Sequence, residues 1–160
     1  MVVKIIGRLF IQVFLLGTIV MPLLADDQPP LDEKTVDATA PYDQSNVFAR
    51  ILRRELPANI VYENDYALAF WDIRSRAKVH VLVIPKGPYN NFISFTEHAS
   101  LEEQLGLLRA IHEVAEKMKI KDSGFRLLTN TGHDGGQTVP HLHFHILGGE
   151  AVPRLSVKAK

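Results

Sequence analysis

The sequence contains no cysteine. That excludes disulfides, thiolate metal sites and a cysteine nucleophile, and leaves histidine to carry any such chemistry. There is no charge excess either: 18 basic residues balance 18 acidic ones, so no global field draws the chain to nucleic acid or to an anionic membrane surface. No internal repeat is visible. The longest apolar run, residues 9–24 (LFIQVFLLGTIVMPLL), is 16 residues long and broken by Gln12 and Thr18, short of the about 20 that a spanning helix needs. What is there, 160 residues with 46% hydrophobic and 22% charged side chains, fits one globular domain with a sizeable core.

Residues 1–25 have the make-up of an export signal, with Lys4 and Arg8 as a basic start and Pro22 shortly before Leu23-Leu24-Ala25. Cleavage after Ala25 is the expectation; an uncleaved membrane anchor and a buried N-terminal helix are the alternatives. The protein is accordingly expected to be exported (periplasmic or secreted) or held at the membrane through this segment alone, and cytoplasmic if the segment is no signal. Residues 26–44 (DDQPPLDEKTVDATAPYDQ) hold six acidic residues, three prolines and no apolar periodicity, and read as a linker. The alternative is an extended arm anchored by Leu31, Val36 and Tyr42. The folded domain is expected over residues 45–160.

Within it, Ser45 or Asn46 can cap a short helix with Val47, Phe48, Ile51 and Leu52 on one face, ended by Pro57. Strand-like runs follow at residues 59–63 and 66–71 around an Asn64-Asp65 turn, and at residues 79–85 (VHVLVIP), where His80 shares a face with Leu82 and Ile84 opposite Val79, Val81 and Val83. Residues 85–94 read as a loop. Leu101, Leu105, Leu108, Ile111, Ala115 and Met118 recur at helical spacing over residues 99–119. His98 and His112 read as ordinary residues before and within that helix. A fourth strand covers residues 125–130, and the turn at residues 131–138 (TGHDGGQT) leads into the densest feature of the chain.

That feature is residues 141–149, HLHFHILGG. Imidazole and apolar side chains alternate, so in a strand His141, His143 and His145 share one face and Leu142, Phe144 and Ile146 take the other. Three readings are open: a metal site, buried polar groups bonded to backbone and water, or a catalytic cluster. Three ligands on one extended strand span about 13 Å, too far to converge on one ion, so at most two could bind, with His80 as a third. The preceding loop favours phosphate-directed histidine chemistry. Gly132, Gly135 and Gly136 can bring backbone N–H groups close to an anion, and Gln137 and Thr138 add an amide and a hydroxyl.

The run Gly136-Gln137-Thr138-Val139-Pro140-His141-Leu142-His143-Phe144-His145-Ile146-Leu147-Gly148-Gly149 resembles the signature of the histidine-triad (HIT) superfamily. Its Gly148-Gly149 end is similar to the HINT-like, nucleoside phosphoramidase branch. Asn46-Val47-Phe48, Glu55-Leu56-Pro57-Ala58, Ala69-Phe70-Trp71-Asp72-Ile73 and His80-Val81-Leu82-Val83-Ile84-Pro85-Lys86 match in order and spacing. The resemblance implies an α+β fold, with a five-stranded antiparallel sheet and one short and one long helix, that pairs into a homodimer. It implies a nucleotidyl hydrolase or transferase acting on a purine nucleoside 5′-phosphoramidate or related nucleotide through a nucleotidyl-histidine, with no metal and no cofactor. A non-catalytic purine-nucleotide-binding module and a dinucleoside polyphosphate hydrolase are the alternatives. By the same resemblance His143 is the nucleophile, His141 and His145 flank it, and His80 is a fourth, more distant histidine. Gly136, Gln137 and Thr138 hold the phosphate and leaving group, Asp72 the ribose hydroxyls, and Asn130 the sugar-phosphate end. Phe48, Ile51, Leu56, Phe70 and Ile73 form the purine pocket.

Overall fold

The computed structural model describes residues 36–153; the signal-peptide expectation and the first part of the linker lie outside the described residues. Five antiparallel strands, β1 (Ile60–Glu63), β2 (Ala67–Trp71), β3 (Val79–Pro85), β4 (Phe125–Leu128) and β5 (Phe144–Gly148), form one sheet in the order β1-β2-β3-β5-β4. Helix α1 (Val47–Leu52) precedes the sheet, and α2 (Phe92–His98) and α3 (Leu101–Lys117) connect β3 to β4. The α+β fold expected from the sequence is the fold observed, with one added element.

Alternation along β3 decides the two faces of the sheet. Val81 and Val83 are buried against Leu107, Ala110, Ile111 and Val114 of α3, together with Leu142 and Ile146. Leu82 and Ile84 are buried on the opposite side with Phe48 and Ile51 of α1 and Leu68 and Phe70 of β2. Because β3 pairs with β5 so that Leu82 faces His145 and Val81 faces Ile146, the histidine side of β5 lies on the α1 face and its apolar side on the α3 face. The α1 cluster thereby backs the histidines.

Several expectations change. Helix α1 is capped by the Asn46 side chain and ends at Arg53, with Arg54 at φ 62°, before Pro57 is reached; Val47 is exposed. Residues 92–98, expected as loop or flank, form α2, started by a reciprocal cap between Asn91 and Ser94. Only Phe95 of it is buried, so no apolar period announces it. In α3 the buried face is Gly106, Leu107, Ala110, Ile111, Val114 and Ala115, whereas Leu101, Leu105 and Leu108 are exposed. Two apolar stripes overlap on this helix, and the one with small residues packs on the sheet because it lets the backbones approach. Finally, residues 36–44 do not hang free: they run along the domain, with Val36 N–H donating to the Gln137 carbonyl (2.9 Å) and Asn91 Nδ2 donating to the Ala38 carbonyl (2.8 Å).

Gly106 shows how close that approach is. A Cβ there would lie 2.7 Å from the Cβ of Tyr66, and its carbonyl accepts from Asn64 Nδ2 (3.0 Å) in the β1–β2 turn. Alanine is worth about 1 kcal/mol more than glycine inside an exposed helix, but overpacking costs about 1–3 kcal/mol. Gly106→Ala is expected to lower the unfolding free energy in urea titrations; a stabilised variant would contradict this packing.

Candidate active site

The histidines meet where β3 and β5 pair. Strand β5 begins at Phe144, so of the triad only His145 lies inside the strand, and His141 and His143 occupy the segment leading into it. The alternation persists through that segment: Leu142 and Ile146 are fully buried in the α3 cluster, with Phe144 packed against it. His141 and His143 are buried and His145 half-buried. Successive rings are close, His143 and His145 having centroids 5.0 Å apart.

Hydrogen bonds assign the proton on each ring. His141 Nε2 faces the Pro85 carbonyl at 3.0 Å; a carbonyl only accepts, so Nε2 carries the hydrogen. His141 Nδ1 therefore accepts from the Tyr42 hydroxyl at 2.5 Å. His143 Nδ1 faces the His141 carbonyl at 2.8 Å and must donate, which leaves His143 Nε2 as a lone pair. His80 Nδ1 accepts from the Arg76 N–H (3.1 Å), so its Nε2–H is shared between His145 Nδ1 (2.9 Å) and Asp72 Oδ2 (3.2 Å). His145 Nδ1 is then an acceptor and its Nε2 holds the proton. Successive histidines of the triad thus carry opposite tautomers, with an unprotonated Nε2 on His143 and a hydrogen-bond donor on His145.

All four rings are held neutral. Burial pushes His141 down to about 4, against the Pro85 hydrogen bond, which favours protonation. It also pushes His145 to about 4, helped by repulsion from His143 and His80. Burial lowers His143 and His80 in the same direction, outweighing the attraction of Asp72 in both cases. The His80–Asp72 contact is therefore a hydrogen bond to a carboxylate rather than an ion pair. A neutral imidazole is the form that can act as a nucleophile.

The other expected site residues divide. Phe48 sets its edge against both His141 and His143, with centroids 6.2 and 5.1 Å away, and Ile51 and Phe70 are buried in the α1 cluster with Leu56 packed against it. Thr138 is exposed at the end of the loop and Asn130 half-buried after β4. Asp72 follows β2, its Oδ1 accepting from the Arg74 N–H (2.8 Å) while Oδ2 faces His80. Ile73, next to Asp72, is 96% exposed and is not packed in the α1 cluster with the others. Gln137 is fully buried. Both amide hydrogens are used, on the carbonyls of Asn90 (2.6 Å) and Val139 (2.8 Å), and its oxygen accepts from the Gly132 N–H (2.9 Å). It braces the loop from below instead of reaching a phosphate. Gly136, at φ 67°, donates its N–H to the His133 carbonyl (2.9 Å), so it shapes the turn.

The metal reading that pairs His80 with two triad histidines is not the set brought together. The ligating atoms that converge, within 4.8 Å of one another, belong to Asp72, His80 and His145, and what they share is a proton. Two positioning groups escape the sequence reading. Thr129 donates its hydroxyl to the His143 carbonyl (2.8 Å), and Tyr42, read only as an anchor for an arm, reaches His141. Neither belongs to a spaced motif; the short distance of Thr129 from the end of β4 is its only signal.

Comparisons with known proteins match the chain to one family. Residues 53–152 match the family model described as HIT domain. An uncharacterized 13.2 kDa HIT-like protein of Azospirillum brasilense is 46% identical over 117 residues, 73% of this chain and 96% of that protein. The purine nucleoside phosphoramidase of Escherichia coli K12 is 40% identical over 119 residues, 72% and 97% of the two chains. Among solved structures, a histidine triad protein from Clostridium difficile is 35% identical with a TM-score of 0.66, covering 71% of this chain and 98% of its own. A HIT family hydrolase from Clostridium thermocellum is 37% identical with a TM-score of 0.63, covering 72% and 99%.

The neutral rings generate a pH dependence. An unfolded chain protonates His141 and His145 near 6.5, whereas the folded chain resists until about 4. Their contribution to stability is complete above 6.5 and is lost as pH falls through that window. Urea unfolding is expected to show stability declining from about pH 6.5 to 4.5, with a flatter decline in His145→Gln. Parallel slopes in the two proteins would contradict the buried neutral ring.

Proposed function

The chain belongs to the HIT family, and from that premise we propose that it is a purine nucleoside phosphoramidase or a closely related nucleotidyl hydrolase working through a nucleotidyl-histidine. The observation that carries the reading is the hydrogen bond from His143 Nδ1 to the His141 carbonyl, which leaves Nε2 unprotonated on a neutral ring. In the proposed reaction that lone pair attacks the α-phosphorus of a nucleoside 5′-phosphoramidate. A bond forms between Nε2 and phosphorus, the phosphorus–nitrogen bond breaks, and the amine departs with a proton taken up from solvent. Positive charge builds on the His143 ring as the bond forms, and the His141 carbonyl at its Nδ1–H stabilises it. The Nε2–H of His145 is the donor set beside the transferring phosphoryl group. Water then adds hydroxide to phosphorus, releases one proton and frees His143. Splitting one displacement into two is the general logic of covalent catalysis.

The similarity to the E. coli purine nucleoside phosphoramidase supports a phosphoramidate as substrate, and the buried Phe48, Ile51 and Phe70 behind the histidines supply an apolar wall for a purine. Asp72 follows β2 with one oxygen turned to His80 and the other to the Arg74 N–H, and in this reading its carboxylate accepts from the ribose hydroxyls. We also infer a homodimer. Strand β4 is an edge of the sheet, and Leu101, Leu105, Leu108, Phe125 and Leu127 stay exposed on the single chain, apolar groups and an unpaired edge that a second copy could cover.

Turnover of an adenosine phosphoramidate tests the reading. The wild-type chain is expected to release AMP and the amine, and His143→Ala to lose on the order of 10³-fold or more in kcat, with both proteins sedimenting as dimers. Equal rates for the two would remove His143 as nucleophile. Binding of AMP without cleavage of any phosphoramidate or dinucleoside polyphosphate would favour a binding module, and a monomer would end the pairing inference.

A further inference from the structure

The segment before α1 enters the site at a point that the family match, residues 53–152, does not include. Alternate residues of it reach the domain. Val36 donates its N–H to the Gln137 carbonyl (2.9 Å), the Ala38 carbonyl accepts from Asn91 Nδ2 (2.8 Å), the Ala40 carbonyl accepts from Asn90 Nδ2, and the Tyr42 hydroxyl meets His141 Nδ1 (2.5 Å). These attachments are linked beneath the loop, since the Asn90 carbonyl accepts from Gln137 Nε2 (2.6 Å). The arm is thus tied both to the brace of the glycine loop and to the first triad histidine.

Tyr42 is the chemically distinctive contact. Its half-buried ring packs edge-on against His141, with centroids 5.6 Å apart. His141 is fully buried and pinned at both nitrogens, by Pro85 on Nε2 and by Tyr42 on Nδ1. With Nε2–H committed to a carbonyl, the Nδ1 lone pair would be a buried acceptor without a partner if the phenol were absent, at the cost of an unsatisfied polar atom. The ring could then regain a partner only by rotating, and residue 141 also supplies the carbonyl that holds His143.

We propose that Tyr42 is a positioning residue of the active site, its hydroxyl locking the His141 imidazole and through residue 141 the carbonyl that selects the reactive tautomer of His143. The proposal takes the nucleotidyl-transfer reading of His143 as its setting. Tyr42 touches neither substrate nor phosphorus. Its effect is on how often His143 presents a lone pair at Nε2, so it belongs to kcat and not to substrate affinity.

The test uses the full chain labelled with ¹⁵N in histidine, as wild type and as Tyr42→Phe, which keeps the ring and removes the hydroxyl. In the wild type, His141 is expected as the Nε2–H tautomer with a hydrogen-bonded Nδ1, and finding the Nδ1–H tautomer overturns the proposal without any variant. In Tyr42→Phe the His141 Nδ1 signal is expected to move to that of a free lone pair and the His143 ring signals to move with it, while those of His80 stay in place. With adenosine phosphoramidate, kcat is expected to fall about 3- to 10-fold, the range of one lost neutral hydrogen bond, with KM within about two-fold. A rise in KM at unchanged kcat, or a shift at His141 with neither His143 nor kcat affected, overturns it. If the wild type cleaves no phosphoramidate, the proposed reaction fails, and the coupled shifts of His141 and His143 alone decide whether Tyr42 positions them. Should Tyr42→Phe not fold, the wild-type tautomers together with Tyr42→Leu, which likewise lacks the hydroxyl, decide it: a coupled shift of the His141 and His143 signals supports positioning, and a shift at His141 alone, or at neither ring, contradicts it.

Discussion

The hydrogen bond from His143 Nδ1 to the carbonyl two residues earlier is the constraint on which the site depends. At 2.8 Å and buried, it determines which nitrogen of His143 keeps a lone pair, and much of the surrounding structure exists to hold its two ends. Thr129 fixes the His143 carbonyl, and Pro85 and Tyr42 fix the His141 ring from opposite sides. Leu142, between the two histidines, is fully buried against α3 and its N–H donates to the Tyr89 carbonyl at 2.7 Å. Backbone groups serve this purpose well because they cannot change protonation. A carboxylate in place of the carbonyl would also raise the affinity of the ring for a second proton.

The fold supplies the second requirement, which is low polarity around rings that must stay neutral. The α1 face of the sheet, built from Phe48, Ile51, Leu68, Phe70, Leu82 and Ile84, sits behind the histidines and keeps water from one side of them. Burial is the largest cause of the lowered proton affinity of His80, His141, His143 and His145 alike. The carboxylate of Asp72 acts in the opposite sense, and its placement on His80 Nε2 at 3.2 Å rather than beside His143 lets it fix the His145 tautomer through His80 without charging His143. An acid, two histidines and one shared proton therefore act as an orienting chain.

Much of this was legible in the sequence because it follows from period two. Strand β3 spans the residues its VHVLVIP pattern predicts, and the alternation of His141, Leu142, His143, Phe144, His145 and Ile146 places each side chain on the expected side of the sheet even though the strand begins only at Phe144. What was illegible depends on choices between locally equivalent options. The helix over residues 101–117 offers two apolar stripes, and only packing against the sheet selects the one carrying Gly106 and Ala110. Gln137 reads as a ligand-facing amide in the same motif that, folded, buries it under the loop. Ile73 reads as a pocket residue and is nearly fully exposed. The arm over residues 36–44 has linker composition, yet its backbone finds Asn90, Asn91 and Gln137 as partners. Tautomers, on which the chemistry turns, are invisible to any pattern of residue types.

Assigning one nitrogen of one histidine makes the account specific enough to be contradicted at a single bond. The most direct measurement is the position of phosphorus in a rapidly quenched reaction of the full chain with an adenosine phosphoramidate, read by ³¹P–¹⁵N correlation on histidine-labelled protein. The account predicts a nucleotidyl group on Nε2 of His143. Phosphorus on Nδ1 of His143, or on His141 or His145, would contradict it.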